Sequence, residues 1–555
     1  MIADPRRLLS VLCVLGYGSL SVACSANGTV AGSDGTSGAP SAQTGNGGRP
    51  EAGGSAGSGA GGTSGAGGTS AGGPTLSDGG GARTTGGADG NAVAAGAGGV
   101  NAGGVGAGGT AGAAGAGGAT TTTGKDYYCD PVNGLPTNPG SSASPWRRLE
   151  EVFSAGKAFA DGDVIHLRTG NHGSPVIAGG ISSGNRTISA EPGQSPVIRT
   201  IRFAAGATRW TVDGVLVSPQ EADGKPTTDS LVQFDAKATN DVLQNSQLRY
   251  APDSVASTWN NAAWLQNSGI AVYVIGANNQ IINNQIRNTH NGVMLERTST
   301  AGAGATGSLV RGNSINHFWE DAYRGKVSDC TFEYNSAINS YAVIPPGTEA
   351  DPPHRDMFQS YRGDGSFTSV DNVVLRGNVF IARQGTRYTA VPFEYNGHYT
   401  IQGLSAFDGP YSNWTIENNV IMVEVGLAMG LYGMDNSKIV NNTVVPDSFG
   451  TDSEIRVTNE KGGSSSDNDI IRNNLAHTLN IGAATNAHQS NNLTVAASAY
   501  ATFFLNYAAG DVHLKAGSPA IDAGTMTDAP TLDADKAARI APYDVGAYEF
   551  GAAAH

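Results

Sequence analysis

The sequence predicts an all-β protein, a right-handed parallel β-helix with a short N-terminal helical cap, preceded by a disordered linker. Three observations lead there: an uneven distribution of glycine, an asparagine-centred repeat, and alternating apolar and polar residues within that repeat. Of 80 glycines in the 555-residue chain, 37 lie between Ser25 and Gly124. That segment has almost no large apolar residues, so it cannot bury enough surface to offset its ordering entropy. We therefore predict a disordered Gly/Ala/Ser/Thr-rich tether at residues 24–124.

The repeat consists of an apolar residue, an Asn three positions later, and a small or apolar residue two positions after that. Successive Asn residues are 29, 22, 43, 41, 23 and 32 positions apart, which suits a coil with inserted loops of different length. We expect the Asn to occupy a turn, where it tolerates left-handed backbone and its amide can hydrogen-bond along the stack. A β-propeller, the alternative, would show a steadier period of about 40–50 residues. The repeat centres on Asn284, Asn313, Asn335, Asn378, Asn419, Asn442 and Asn474, with a weaker copy at Asn245.

The first 23 residues have the features of an export signal. Arg6 and Arg7 precede an apolar stretch, residues 8–20, that is too short to span a membrane. The small residues before Cys24 resemble the lipobox of bacterial lipoproteins. That resemblance implies a lipid on Cys24 and a location at the bacterial outer membrane or cell surface. The alternative is ordinary signal cleavage near Ala23 and a secreted product.

The β-helix is predicted to occupy residues 125–555. We expect an N-terminal cap at 125–165 with a helix at 149–159 and a first strand at 163–167, coils at about 166–500, and a closing segment at 510–550. The terminal motifs resemble those of secreted, pectate-lyase-like parallel β-helix proteins, notably polysaccharide lyases and their relatives. The resemblance implies the fold more specifically than the reaction, because this fold hosts several chemistries. The motifs lie at residues 127–131, 138–140, 145–146, 517–524 and 544–549.

The charge balance excludes one class of partner. Residues 125–555 carry 29 Lys and Arg against 42 Asp and Glu, which argues against nucleic acid. An acidic polysaccharide is not excluded, because a local cluster of cations outweighs the global field at short range. Cys129 and Cys330 are expected to be small buried hydrophobes rather than a disulfide. We expect a monomer whose membrane contact is limited to the N-terminal lipid.

The candidate site follows from aligning three strands on Val293, Ala322 and Met357 as buried positions. This alignment places Asp321 and Asp356 in one column, about 5 Å apart on the same sheet. It also places Gly292 in that column. Two carboxylates so close repel, so either one has a raised pKa or a cation lies between them. Ca²⁺ is the metal that could bind there, because it prefers oxygen ligands.

The surrounding residue types suit cleavage of a uronate polysaccharide by β-elimination. That reaction removes the proton beside the carboxylate, expels the C-4 oxygen, and needs the carboxylate neutralised by Ca²⁺ or Arg. Residues 351–354, Asp-Pro-Pro-His, also resemble the Asp-Pro-His motif of mannuronan C-5 epimerases, with one additional Pro. The candidate catalytic residues are His354, Arg355, Arg324, Tyr323 and Lys326. The candidate substrate-binding residues are Gln359, Tyr361, Trp319, Phe358, Glu296 and His290.

Three functions remain open from the sequence. The first is a lyase, or an epimerase-like relative, acting on an acidic polysaccharide. The second is an inverting glycoside hydrolase that uses Asp321 and Asp356 as acid and base, for which a carboxyl separation of about 6.5–9.5 Å would be needed. The third is a non-catalytic surface protein that binds glycans or neighbouring cells.

Overall fold

The computed structural model describes residues 124–179, 184–298, 303–349, 352–362, 369–391, 394–395, 398–399, 401–447, 450, 452–482 and 484–552. The predicted export signal, the predicted tether and Cys24 lie outside these ranges. Within them the chain forms a right-handed parallel β-helix, as predicted. Each coil contributes one strand to each of three long parallel sheets, which we call sheets 1, 2 and 3 in the order in which the chain visits them. None of the described helices is long and apolar enough to cross a membrane.

Sheet 1 has thirteen strands and carries the apolar residues that precede the asparagine turns. Its strands are Asp126–Cys129, Val164–Leu167, Arg186–Ala190, Trp210–Asp213, Val242–Gln244, Gln280–Ile282, Leu309–Arg311, Thr331–Glu333, Val374–Arg376, Thr415–Glu417, Lys438–Val440, Ile470–Arg472 and His488–Ser490.

Sheet 2 has twelve strands and follows the asparagine turns. Its strands are Gly170–Asn171, Pro196–Ile198, Leu216–Val217, Gln247–Arg249, Gln285–Thr289, Ser314–Phe318, Ser336–Ser340, Val379–Ile381, Val420–Met422, Thr443–Val445, Leu475–Ala476 and Leu493–Thr494.

Sheet 3 has eleven strands and carries the candidate site. Its strands are Val176–Ile177, Ile201–Phe203, Val232–Phe234, Ile270–Val274, Asn291–Leu295, Tyr323–Gly325, Arg355–Tyr361, Ile401–Asp408, Met429–Tyr432, Glu454–Thr458 and Thr478–Asn480.

Smaller elements decorate the coil. The described helices are Leu149–Ser154, Pro219–Asp223, Asp253–Ala256, Asn261–Asn267 and Tyr500–Phe503, with 3₁₀ turns at Ala497–Ala499 and Tyr507–Ala509. A small parallel sheet contains Val370–Asp371, Tyr411–Ser412 and Met434–Asp435, and two antiparallel pairs join Glu394–Tyr395 with His398–Tyr399 and Phe504–Asn506 with Asp511–Leu514.

The N-terminal cap differs from the prediction in two details. Its helix ends at Ser154 rather than near residue 159, because Gly156 adopts a left-handed conformation with φ of 64°. The strand predicted at 163–167 is found at Val164–Leu167, but it is the second strand of sheet 1. Asp126–Cys129 comes first and pairs with it in parallel.

The seven predicted asparagines form a continuous buried ladder. Each side-chain nitrogen Nδ2 donates to the side-chain oxygen Oδ1 of the next Asn. The distance is 2.9 Å from Asn284 to Asn313 and 3.1 Å from Asn313 to Asn335. Asn492 extends the ladder beyond Asn474. At the other end the ladder position belongs to Ser246, whose backbone NH donates to Asn284, so the weaker copy centred on Asn245 is offset by one residue.

The left-handed conformation lies one residue before the predicted position. Asn283 has φ of 54° and Tyr334 has φ of 53°, and each of them precedes a ladder asparagine. Gly312 and Gly377 occupy equivalent positions with φ of 66° and 61°. The ladder Asn is therefore selected for its amide, which satisfies buried backbone groups of neighbouring coils, rather than for its backbone conformation.

Candidate functional site

Sheet 3 brings most of the predicted residues onto three neighbouring strands. Tyr323 pairs with Phe358, and Arg324 pairs with Gln359. The first pair faces the interior and the second faces outward. The predicted offset between these two strands, which places Asp321 beside Asp356, is therefore the one found.

The third strand of the predicted alignment is shifted by one residue. Val293 pairs with Tyr323 rather than with Ala322. Gly292 accordingly lies next to Ala322, and it does not share the column of Asp321. The reason is a break in the alternation: a Cβ on Gly292 would lie 2.2 Å from the Ile315 side chain, so this position and the next both point inward.

Asp321 and Asp356 are buried in the sheet with hydrogen-bond partners. One oxygen of Asp321 accepts from the guanidinium of Arg324, at 3.0 Å from Nε, and the other accepts from the backbone NH of Asp356 at 3.2 Å. Asp356 accepts from Gln359 at 2.9 Å and from the hydroxyl of Ser405 in the following coil.

Burial sets the ionisation of this pair. It raises the pKa of Asp321 to about 6, although the neighbouring charge of Arg324 opposes the shift. It raises the pKa of Asp356 well above its ordinary value, and the negative charge of Asp321 adds to this rise. Two adjacent carboxyls in a medium of low dielectric constant cannot both ionise easily, so the surroundings favour the protonated form of Asp356.

These contacts occupy the carboxylate oxygens that a cation or a reacting sugar would need. Within the described ranges no group of three or more His, Cys, Asp or Glu side chains is arranged to hold a metal ion. Ca²⁺ takes 6–8 oxygen ligands, whereas the oxygens of Asp321 and Asp356 already accept hydrogen bonds from Arg324, Gln359 and Ser405. The residues present do not fit a Ca²⁺ site, and the pair is too enclosed to serve as an exposed acid and base.

The outward face carries two cations around one aromatic ring. Lys326 Nζ lies 4.2 Å from the centroid of the Tyr361 ring, and the Arg324 guanidinium lies 5.9 Å from it. Glu296 pairs with both cations, at 2.9 Å from Lys326 and 3.5 Å from Arg324. The side chains of Arg324 and Lys326 are 18% and 13% exposed, so both are held in place yet reachable from solvent.

A histidine–carboxylate pair lies at the edge of this face. Nε2 of His290 lies against the carboxylate of Glu320, and the His290 ring stacks on Trp319 with the centroids 3.7 Å apart. Burial tends to raise the pKa of Glu320, but His290 and Arg324 outweigh it and lower the pKa to about 2. Glu320 is thus a permanent anion that orients the imidazole.

Four predicted site residues lie inside the protein and cannot contact a substrate directly. The Tyr323 hydroxyl donates to the backbone carbonyls of Asn313 and Ser336 at 3.0 and 3.1 Å. Phe358 is fully buried in the core. Trp319 is 4% exposed and its indole NH donates to the hydroxyl of Ser268.

Arg355 is the fourth of these residues. Its guanidinium donates to the backbone carbonyls of Trp319 and Val343 at 2.9 and 2.8 Å. It is 1% exposed, and burial lowers its pKa to about 10. Arg355 therefore holds two turns together. His354, the preceding residue, is exposed at the start of the same strand.

Two residues of this face escaped the sequence analysis. Glu320 lies beside Trp319, and only the stacking of two coils reveals that it meets His290. Ser405 comes from the coil after the longest insertion, where the repeat does not indicate the register. Such partners are difficult to find from the sequence, because loops of variable length separate the coils. The distance along the sequence then does not indicate which residues stack on each other.

Comparison with known proteins gives similarity in fold. No family model matches the chain, and no curated protein matches it. Among solved structures, a rhamnogalacturonan lyase is 15% identical and superposes with a TM-score of 0.39, covering 68% of this chain and 90% of its own. A PL6 family polysaccharide lyase from Pseudopedobacter saltans is 13% identical with a TM-score of 0.34, covering 66% and 95%. The A-module of a mannuronan C-5 epimerase from Azotobacter vinelandii is 13% identical with a TM-score of 0.31, covering 63% and 92%. Similarity at this level carries no argument about the reaction of this chain.

Proposed function

We propose that this protein is a polysaccharide lyase that cleaves a uronate-containing polysaccharide by β-elimination on the outward face of sheet 3. The observation that carries the proposal is the pair of cations, Arg324 and Lys326, fixed around Tyr361. The chain as a whole has a net charge of −14, so a rigid, partly exposed cation pair is a local exception to its charge. Such a pair suits one negatively charged group of a ligand.

The cations would act on the uronate carboxylate. Removing the C-5 proton places negative charge on that carboxylate, and the charge must be stabilised in the transition state. Arg324 offers a planar fork of donors, while Lys326 offers a compact point charge. Glu296 holds both cations in position before the substrate arrives, which limits the reorganisation needed during the reaction.

Proton transfer would use Tyr361, because His290 lies about six positions away along the sheet, in the row of Glu320 rather than in the row of Lys326. In its ionised form the Tyr361 oxygen would take the C-5 proton. The C-4 to oxygen bond then breaks, the electron pair of the C–H bond forms the C-4 to C-5 double bond, and the Tyr361 hydroxyl gives its proton to the leaving oxygen. This scheme replaces Tyr323 and Arg355 as direct participants, and His354 remains a candidate base at the entrance.

The test is the ultraviolet absorbance of the new double bond after incubation with alginate, pectate or glycosaminoglycans. We expect Arg324→Gln to lower kcat/KM by about 10²–10³-fold, the usual effect of removing one transition-state donor. Arg311→Gln is the matched control, because Arg311 is an outward arginine of sheet 1 that pairs with Glu333 at 2.5 Å. Arg324→Gln removes the partner of the buried Asp321. Lys326→Gln keeps that contact, so a loss of activity in this second variant reports on the missing cation rather than on the fold.

Further arms of the same assay separate the alternatives. Because neutralisation is assigned to Arg324 and Lys326, EDTA should leave the activity unchanged. Inhibition by EDTA that Ca²⁺ reverses would contradict this assignment. Reducing ends formed without the absorbance would indicate hydrolysis, and binding without any product would indicate a glycan-binding surface protein. Either result would overturn the proposed lyase.

The proposed location is the cell surface. Lipidation of Cys24 and the predicted tether would hold the β-helix away from the membrane and close to extracellular polysaccharide. Palmitate labelling of wild type and Cys24→Ala tests this location, and equal labelling of the two would contradict it.

A further inference from the structure

A cavity lies on sheet 2, on a different face of the β-helix from the candidate site on sheet 3. Its volume is about 800 Å³, within the range of roughly 300–1,000 Å³ that small-molecule pockets span. The strands Gln285–Thr289, Ser314–Phe318 and Ser336–Ser340 form its floor, and residues 384–389 and the short helix Asp253–Ala256 form its walls. None of the residues assigned to the cation face lines it.

Most residues that line the cavity have polar or charged side chains, although carbon atoms make up about half of the exposed lining surface. Twelve of the fourteen lining residues have a polar or charged side chain, and the other two are Ile338 and Gly385. Pockets for drug-like ligands and cofactors are lined mostly by apolar groups. A lining of this kind suits a ligand rich in hydroxyl groups, which needs many hydrogen-bond partners.

The wall formed by residues 384–389 is fixed by buried side chains beneath it. Asn339 accepts from the backbone NH of Gln384 and donates to its carbonyl, both at 3.0 Å. The Tyr341 hydroxyl accepts from the backbone NH of Tyr388 at 2.9 Å. Tyr388 in turn donates its hydroxyl to Asn288 at 2.9 Å. The cavity is therefore formed before a ligand binds.

Three successive coils carry a left-handed residue at the floor of this cavity. Asn288, His317 and Asn339 occupy one column, with φ of 56°, 61° and 61°. Asn tolerates this conformation, which recurs at the ladder turns, so His317 is the unusual member of the column. His317 is also packed tightly: its ring stacks on Tyr388 at 3.9 Å, and Nδ1 lies 2.7 Å from the Tyr341 hydroxyl.

The charges of the cavity favour an acidic ligand. Arg287 Nη1 is paired with Asp253, which leaves Nε and Nη2 of the same fork for a ligand. Arg387 also lines the cavity. Burial lowers the pKa of His317 to about 4, so the imidazole adds no charge at neutral pH. The amide nitrogen of Asn316 lies beside them, with its oxygen accepting from Asn339 at 3.0 Å.

We propose that this cavity is a second, non-catalytic binding site for one acidic sugar residue of a glycan. The free donors of Arg287 would bind the sugar carboxylate, because a guanidinium fork matches a carboxylate in geometry. Asn316, Asp253 and the hydroxyl side chains of the walls would bind the sugar hydroxyls. The proposal does not rest on the reaction assigned to sheet 3, and it holds whether or not that face is catalytic.

The test is calorimetric titration of the full-length protein with galacturonate and glucuronate, and with galactose and glucose as neutral counterparts. We expect Arg287→Gln to weaken binding of the acidic sugars at least tenfold. Arg249→Gln is the matched control, because Arg249 lies directly opposite Arg287 in the neighbouring strand and its donors are taken by Glu221 at 2.6 and 2.9 Å. Repeating the titrations in the Lys326→Gln background reduces any contribution from sheet 3.

A second variant tests the charge preference without removing an internal contact. Asn316→Asp keeps the oxygen that accepts from Asn339 and replaces the amide nitrogen with an anionic oxygen. It should weaken the binding of acidic sugars more than that of neutral ones.

Equal affinity of the wild type for acidic and neutral sugars would overturn the preference for acidic sugars. Equal binding by Arg287→Gln and Arg249→Gln would overturn the site. Electron density for galacturonate beside Arg287 in a soaked crystal would support it, while density only on sheet 3 would contradict it. Lyase activity measured in parallel would be unaffected by Arg287→Gln, so failure of one proposal is distinguishable from failure of the other.

Discussion

At the scale of single residues, the alternation of a β-strand locates charged groups better than aromatic ones. Arg324 and Lys326 lie two positions apart and both point outward, as the pattern indicates. Tyr323 and Phe358, predicted to contact a sugar, point into a coil whose interior is filled by aromatic contacts, such as Phe332 with Phe358 at 5.0 Å. An aromatic residue is compatible with either face, so its type alone cannot decide where it lies.

The buried carboxyl of Asp356 leads to a prediction at this scale. Burial and the charge of Asp321 raise its pKa in the folded protein above the unfolded value of about 3.9. As the pH rises above about 4, the unfolded state loses a proton that the folded state keeps. The free energy of unfolding therefore falls with rising pH from this group alone. Asp356→Asn cannot ionise, so its stability relative to wild type should increase from pH 4 to pH 7.

Thermal unfolding of both proteins across this pH range measures the effect. Asp408→Asn serves as the control, because Asp408 is exposed and pairs with Lys461 at the surface at 2.8 Å. A constant difference between Asp356→Asn and wild type at every pH would mean that Asp356 is ionised in the folded protein. That result would require a cation beside it and would contradict the assignment of a neutral carboxyl.

At the scale of elements, the repeat predicted the turn but not the details of its hydrogen bonds. The spacing of the asparagines identified seven coils, because each of these coils places one buried amide at the same position. It could not reveal that the preceding residue is left-handed, since Gly, Asn and even Tyr334 occupy that position. Nor did it place strand Asn291–Leu295, which is shifted by one residue from the predicted alignment.

The ladder predicts the effect of removing one of its members. Asn378 donates to the carbonyl of Phe332 and to Asn419, both at 2.9 Å, and accepts from the backbone NH and the side chain of Asn335. Asn378→Ala leaves several buried groups without partners, each worth about 1–3 kcal/mol. We expect a loss of about 3 kcal/mol or more in stability, measured by denaturant unfolding.

Asn372→Gly is the matched control for this prediction. Asn372 belongs to the turn before strand Val374–Arg376 of sheet 1 and has φ of 58°. Its side chain makes only exposed contacts, donating to Asp329 and accepting from Asn413. Glycine adopts that conformation without strain, so the change should be close to neutral. Equal destabilisation by the two substitutions would show that the turn conformation, rather than the amide ladder, stabilises the stack.

At the scale of the whole molecule, an acidic chain presents two cations at its proposed site. The chain carries −14, whereas Arg324 and Lys326 face solvent on sheet 3. A polyuronate approaching from a distance meets repulsion, and only at close range does it meet attraction. These two interactions extend over different distances, so salt separates them.

This separation predicts a maximum in the salt dependence of binding. The screening length falls from about 30 Å at 0.01 M to about 10 Å at 0.1 M and about 3 Å at 1 M ionic strength. Raising the salt to about 0.1 M should therefore increase the affinity for a uronate oligosaccharide by removing the long-range repulsion. Further salt should decrease it by weakening the contact with Arg324 and Lys326.

Titrations across this range, with a neutral oligosaccharide of equal length as the control, measure the effect. In Lys326→Gln the initial increase should remain, because the net charge is then more negative, while the later decrease should become shallower because one local cation is missing. If the affinity instead fell steadily from the lowest salt concentration, the electrostatic field over the outward face of sheet 3 would attract the substrate at every distance. The net negative charge of the chain would then not hinder the approach of the substrate. The pair Arg324 and Lys326 would not be needed to overcome any long-range repulsion.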